Sequence, residues 1–117
     1  MKKLSEFEGV EGVEKAAEVM EEITEISANE KNTVDNNDSL IKMYTMFMKN
    51  NPRNMMNIFA ILSDEDPKEY TCNGAEAVQN MYFLISDRLV NTLFISQVRK
   101  TGATSSGPAS QKAKQKT

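Results

Sequence analysis

Two prolines bracket the stretch that most restricts how this chain can fold, Asn50–Tyr70, which reads NNPRNMMNIFAILSDEDPKEY. Pro52 suits a first helical position, because its missing N–H has no helical partner to lose and its fixed φ already fits a helix. Asn50 or Asn51 can cap ahead of it. Met55, Ile58, Phe59 and Leu62 follow at helical spacing and form one apolar face. Asp64, Glu65 and Asp66 set three negative charges against the negative end of that helix, and Pro67 pushes Asp66 towards extended backbone. The reading is a helix over Pro52 to about Ser63, closed by an acidic turn that is structural in role.

The same period recurs along the chain. Leu4 and Phe7 are two apolar anchors in a short lead, with Gly9 and Gly12 loosening the backbone after them. Val13, Ala16, Ala17, Met20, Ile23 and Ser27 predict a helix over Glu11–Ala28, with Glu14, Glu18, Glu21, Glu22 and Glu25 as its solvated face. Residues 29–38 (NEKNTVDNND) predict a loop. Asp35, Asn37 and Ser39 imitate part of a calcium loop, but Leu40 stands where such a loop needs Gly and Met46 where it needs Glu, so that reading fails. Asp38 is instead expected to cap a second helix over Ser39–Lys49. A fourth helix is expected over Ala75–Ile85, and Ser86 or Asp87 should cap a fifth. From Thr101 the small, flexible, basic residues show no apolar period.

The expected fold is therefore all-α: a small bundle of four to five short amphipathic helices over residues 1–100, with a disordered basic tail over 101–117. Val13, Met20, Ile23, Leu40, Tyr44, Phe47, Phe59, Leu62, Met81, Leu84, Leu89 and Phe94 are expected in the core. So small a core is marginal for one domain, so self-association is expected too.

Composition excludes more than it identifies. With no histidine and one cysteine, Cys72, the chain offers no Cys/His zinc layout, no internal disulfide and no His-based triad. Neither a Gly-rich phosphate loop nor a pKa-shifting carboxylate pocket is legible, so no catalytic residue, metal or cofactor is assigned. No run of about 18 apolar residues exists to span a membrane, and the reading is a soluble intracellular protein. The net charge is −3; setting aside Arg99, Lys100, Lys112, Lys114 and Lys116, the only charges from Arg99 onward, leaves −8 on the rest. Such a body repels nucleic acid, and no specific nucleic-acid partner is expected.

The residues also carry a resemblance. NIFAILSDEDPKEY, the opening KKLSEFEGVEG with its Glu-rich helix, and the close LFISQVRKTGATSSGPAS together resemble the tail assembly chaperones of long-tailed, siphovirus-like bacteriophages and prophages. The pieces cover roughly half of the chain. The basic end Gln111–Thr117 departs from the acidic or neutral close such proteins have. The resemblance implies a non-catalytic, all-helical protein of the bacterial host cytoplasm, missing from the mature virion. It would bind and solubilise the tape measure protein during tail morphogenesis. It would also help recruit tail tube protein, in some systems through a frameshifted longer product. The alternative is a small helical phage-encoded adaptor or regulator of a host protein.

Methionine locates the expected contact surface. Most of the eight methionines are expected in the core. Met43, Met46, Met48, Met55 and Met56, however, occupy more than one face of two short helices. One core stripe cannot bury them all, so they are the partner-binding candidates.

Overall fold

The structure, a computed structural model, describes residues 1–103, with side chains as far as Val98. A 3₁₀ turn, Leu4–Glu6, precedes five helices: α1 Gly9–Ala28, α2 Leu40–Asn50, α3 Pro52–Leu62, α4 Gly74–Ser86 and α5 Arg88–Ala103. No strand occurs among the described residues. The bundle is all-α, as the periodicity predicts. The last helix runs to Ala103, three residues into the expected tail, and the rest of that segment lies outside the described residues.

The helix ends show which local devices operate. α1 starts two residues before its expected Glu11, because Gly9 adopts φ +65° and lets the lead fold back. Gly12 is required for a different reason: a Cβ there would lie 2.5 Å from the Phe7 carbonyl oxygen. The cap of α2 is Ser39 and not Asp38. Ser39 Oγ accepts the Lys42 N–H at 3.1 Å, while Asp38 accepts the Asp35 N–H and pairs with Lys42 Nζ at 3.0 Å. α3 stops where expected, but through a Schellman motif. The Glu65 N–H donates to the Ala60 carbonyl at 2.9 Å and the Asp64 N–H to Ile61 at 3.1 Å, with Asp64 left-handed at φ +59°. Asp64 also meets Lys15 Nζ at 3.0 Å. Asn73 and Glu76 form a reciprocal capping box at the start of α4.

Asn51 sits at the head of α3 without capping it through its side chain. The side chain instead joins an amide network between the loop after α1 and the α2–α3 corner. Its Oδ1 accepts from Asn29 Nδ2 at 2.8 Å and Asn32 Nδ2 at 2.9 Å, and its Nδ2 donates to Asn54 at 2.9 Å. Asn32 also donates to the Ile26 carbonyl at 2.8 Å, satisfying an acceptor at the end of α1. The two asparagines before Pro52 thus make a tight corner held from the α1 side.

α1 packs on α3 and α5, α2 on α3 and α4, and α4 on α5. Tyr44 and Phe47 of α2 meet Phe94 of α5 at the centre. Phe47 stacks on Phe94 at 5.0 Å, and Tyr44 meets both rings edge-on at 5.9 and 5.3 Å. Ile23, Phe59, Leu62, Met81 and Leu84 are buried as expected, and Met20 and Leu40 pack partly buried against the core. Two expected core residues are on the surface: Val13 is 71% exposed and Leu89 is 48% exposed. The core line of α1 runs through Val19, Ile23 and Ile26, roughly a third of a turn from Val13 at 100° per residue. On α5 it runs through Val90, Phe94 and Val98, so Leu89 faces outward.

The lead is a strap. Leu4 and Phe7 are buried, the Lys2 N–H donates to the Leu62 carbonyl at 2.7 Å, and Lys2 and Lys15 ammonium groups lie 5.2 and 5.5 Å from the Phe7 ring centre. Asp87, itself buried, accepts the Leu4 N–H at Oδ2 (3.0 Å) and the Val90 N–H at Oδ1 (3.3 Å). One carboxylate therefore caps α5 and anchors the strap.

Tyr44 carries a pH dependence. Its hydroxyl donates to Asn91 Oδ1 at 2.6 Å, and Asn91 Nδ2 donates to the Ile85 carbonyl at 2.8 Å. Burial, with the Asp87 charge as the smaller cause, pushes the Tyr44 pKa well above the ordinary tyrosine value. The folded chain keeps this proton where the unfolded chain releases it. The stabilisation is full below about pH 10 and is lost as pH rises above it, at up to about 1.4 kcal/mol per pH unit for one group. Urea titrations at rising alkaline pH are expected to show a shallower loss for Tyr44→Phe than for the parent. An unchanged slope would assign the effect to another group.

Candidate functional site

The methionine candidates separate into three places. Positions 46 and 48 are two residues apart on α2, about 160° around the helix, so they face nearly opposite sides. Met43, 2% exposed, is a core residue, which corrects the expectation that it supplies surface, and Met55, 1% exposed, is a core residue that reaches a surface groove only as its floor. Met46, partly buried, borders a shallow depression with Lys42, Thr45 and Lys49. Met48 and Met56, both half-buried, line an open groove of about 440 Å³ whose floor includes Met55 and Phe59.

Three elements build this groove. The last turn of α2 supplies Met48, the first two turns of α3 supply Pro52, Arg53, Met55, Met56 and Phe59, and the far wall is Cys72 to Ala77 at the head of α4. Pro52 makes the approach of α2 to α3 abrupt, and the Asn73 capping box fixes where α4 starts, so the walls are held by two helix ends. Phe59, Cys72 and Ala77 were not expected in a binding surface. Phe59 reads as core from its helical spacing, and nothing local marks Cys72 and Ala77, which meet Met48 only when the Pro67 turn brings α4 back beside α2.

The groove is suited to holding apolar side chains. Thioethers at Met48 and Met56 are flexible and polarisable, so they adapt to varied partners. Exposed Arg53 is the charged group on its rim. Burial, then the Glu76 charge, raises the pKa of the Cys72 thiol, against a lowering hydrogen bond from Tyr70. The thiol is therefore protonated near neutrality and a poor nucleophile. Away from the groove, Asp66 Oδ1 accepts the Lys68 N–H at 2.9 Å and Asp64 engages Lys15, so these acids shape their turn. Among the described residues no group of three or more His, Cys, Asp or Glu side chains is placed to hold a metal ion, and no described helix is long and apolar enough to cross a membrane.

No protein-family model, curated protein or solved structure matches this chain.

Proposed function

We propose that this chain is a non-catalytic binding module that acts as a phage tail assembly chaperone, with the groove beside α3 receiving apolar side chains of the tape measure protein. The observation that carries the reading is the groove itself: Met48 and Met56 stand half-exposed over a floor of Met55 and Phe59. An amphipathic helix can place anchors in such a groove, and methionine walls tolerate the changing sequence of a long helical client. The resemblance of Asn57–Tyr70 and of the two ends to tail assembly chaperones supplies the client's identity. The charge of −8 outside the basic end would help keep a decorated client soluble. Recruitment of tail tube protein, action in the bacterial host cytoplasm and absence from the finished virion belong to the same proposal.

The test is co-expression with a tape measure fragment. Met48→Asp combined with Met56→Asp is expected to leave the helical circular dichroism spectrum intact and to send most of the fragment to the pellet. Met46→Asp, on the opposite side of α2, is expected to behave as the parent. If the folded double variant keeps the fragment as soluble as the parent does, the groove is not the client site.

A further inference from the structure

We propose that α1 carries a second docking surface, separate from the groove, for an amphipathic helix with lysine or arginine beside its apolar stripe. Val10 and Val13 are 76% and 71% exposed, the two most exposed large apolar residues described. Ala17, exposed, and Met20, half-buried, continue from them. The spacing of three, four and three residues is the heptad seam that one helix offers another. Met20, with Thr24, also borders a shallow depression that prolongs the stripe towards the end of α1. This face is not the core face: Val19, Ile23 and Ile26 are fully buried against the rest of the bundle. α1 is therefore apolar on two sides, and only one of them is covered by described residues.

Charge decides what fits the uncovered side. Glu14 and Glu21 run along the edge of the stripe, with Glu18 one step beyond, and all three are exposed. None of them forms an ion pair with a described side chain. The single lysine of α1, Lys15, is committed to Asp64 on the strap side of the helix. A second copy docked antiparallel, stripe to stripe, would bring the two glutamate rows together without intervening cations, which opposes association. A helix with Lys or Arg flanking its seam would pair with that row while its apolar residues cover Val10 and Val13. In paired helices, flanking charges of this kind select the partner. The surface stands independently of the groove and of the tape measure assignment.

The probes are two synthetic peptides of three heptads with the same Leu and Val seam, one flanked by Lys and the other by Glu. Fluorescence anisotropy with the full chain should show the Lys peptide binding at least about 10-fold more tightly, with the preference shrinking as salt is raised. Val10→Asn with Val13→Asn, both at exposed positions, should weaken the Lys peptide about 10-fold or more. Glu14→Lys with Glu18→Lys and Glu21→Lys should turn the preference towards the Glu peptide. Met48→Asp with Met56→Asp should leave peptide binding unchanged, so failure of the groove and failure of this surface are read separately. Equal binding of the two peptides, or an unchanged affinity in the Val10/Val13 variant, overturns the proposal. So does a parent dimer that this variant dissociates in sedimentation equilibrium, which would make a second copy the occupant. Peptide binding seen only after residues 104–117 are removed also overturns it, because the chain's own end would then cover the stripe.

Discussion

Phe94→Ala is expected to lower stability by about 3–5 kcal/mol, the range for truncating a fully buried aromatic ring. Phe94 is fully buried, stacks on Phe47 at 5.0 Å and meets Tyr44 edge-on at 5.3 Å. Truncation removes the ring's transfer free energy and both aromatic contacts, and leaves a cavity whose walls belong to different helices. α2 supplies two of those walls and is tied at one end to the Asn51 network, so collapse into the space is opposed. Small domains hold about 5–15 kcal/mol in total, so this change should bring the protein close to its unfolding midpoint in water. Phe94→Leu retains part of the volume and should cost roughly 1–2 kcal/mol. Urea unfolding followed by helical circular dichroism measures both. A loss below about 1 kcal/mol for Phe94→Ala would mean that the three-ring cluster does not organise the core.

Asp87→Ala should cost about 2–4 kcal/mol, from two separate losses. Removing the cap of α5 costs on the order of 1 kcal/mol. Leaving the Leu4 N–H without its acceptor costs about 1–3 kcal/mol more, because this hydrogen bond is buried. The second loss should have a local signature. Residues 1–7 should become susceptible to proteolysis and the Leu4 amide should exchange faster, while α2 and α3 remain protected at low denaturant. Asp87→Asn keeps one acceptor oxygen for two donors and should fall between Ala and the parent. If Asp87→Ala unfolded the whole domain with no earlier release of the strap, the strap would be integral to the fold and not an attached segment.

The elements that sequence reasoning located correctly are those set by short-range physics. Pro52 opens α3, the helix ends at Leu62 beside the expected Ser63, and Leu4 and Phe7 anchor the lead. Even locally, competition between adjacent residues escaped it. Ser39 takes the cap expected of Asp38 because the Asp38 carboxylate is drawn to the Asp35 N–H and Lys42. The end of α3 depends on Asp64 accepting a left-handed conformation, which no charge argument supplies.

The methionine candidates show the same division at the site. Their surplus on two short helices was legible, but Met43 and Met55 went to the core, and Met46 faces away from the groove that Met48 and Met56 share. On α1, Val13 and Ile23 both fit a helical stripe, yet only Ile23 is buried. By itself the sequence determined the order and approximate ends of the helices, and their number to within four or five, because hydrophobic period, caps and prolines act within a few residues. The tertiary structure alone decided which apolar face of α1 turns inward, which methionines line the groove, and that Asp87 joins the strap to α5. Those choices depend on contacts between residues as far apart as Leu4 and Asp87, and the neighbours of a helix, not its own period, select the face that is buried.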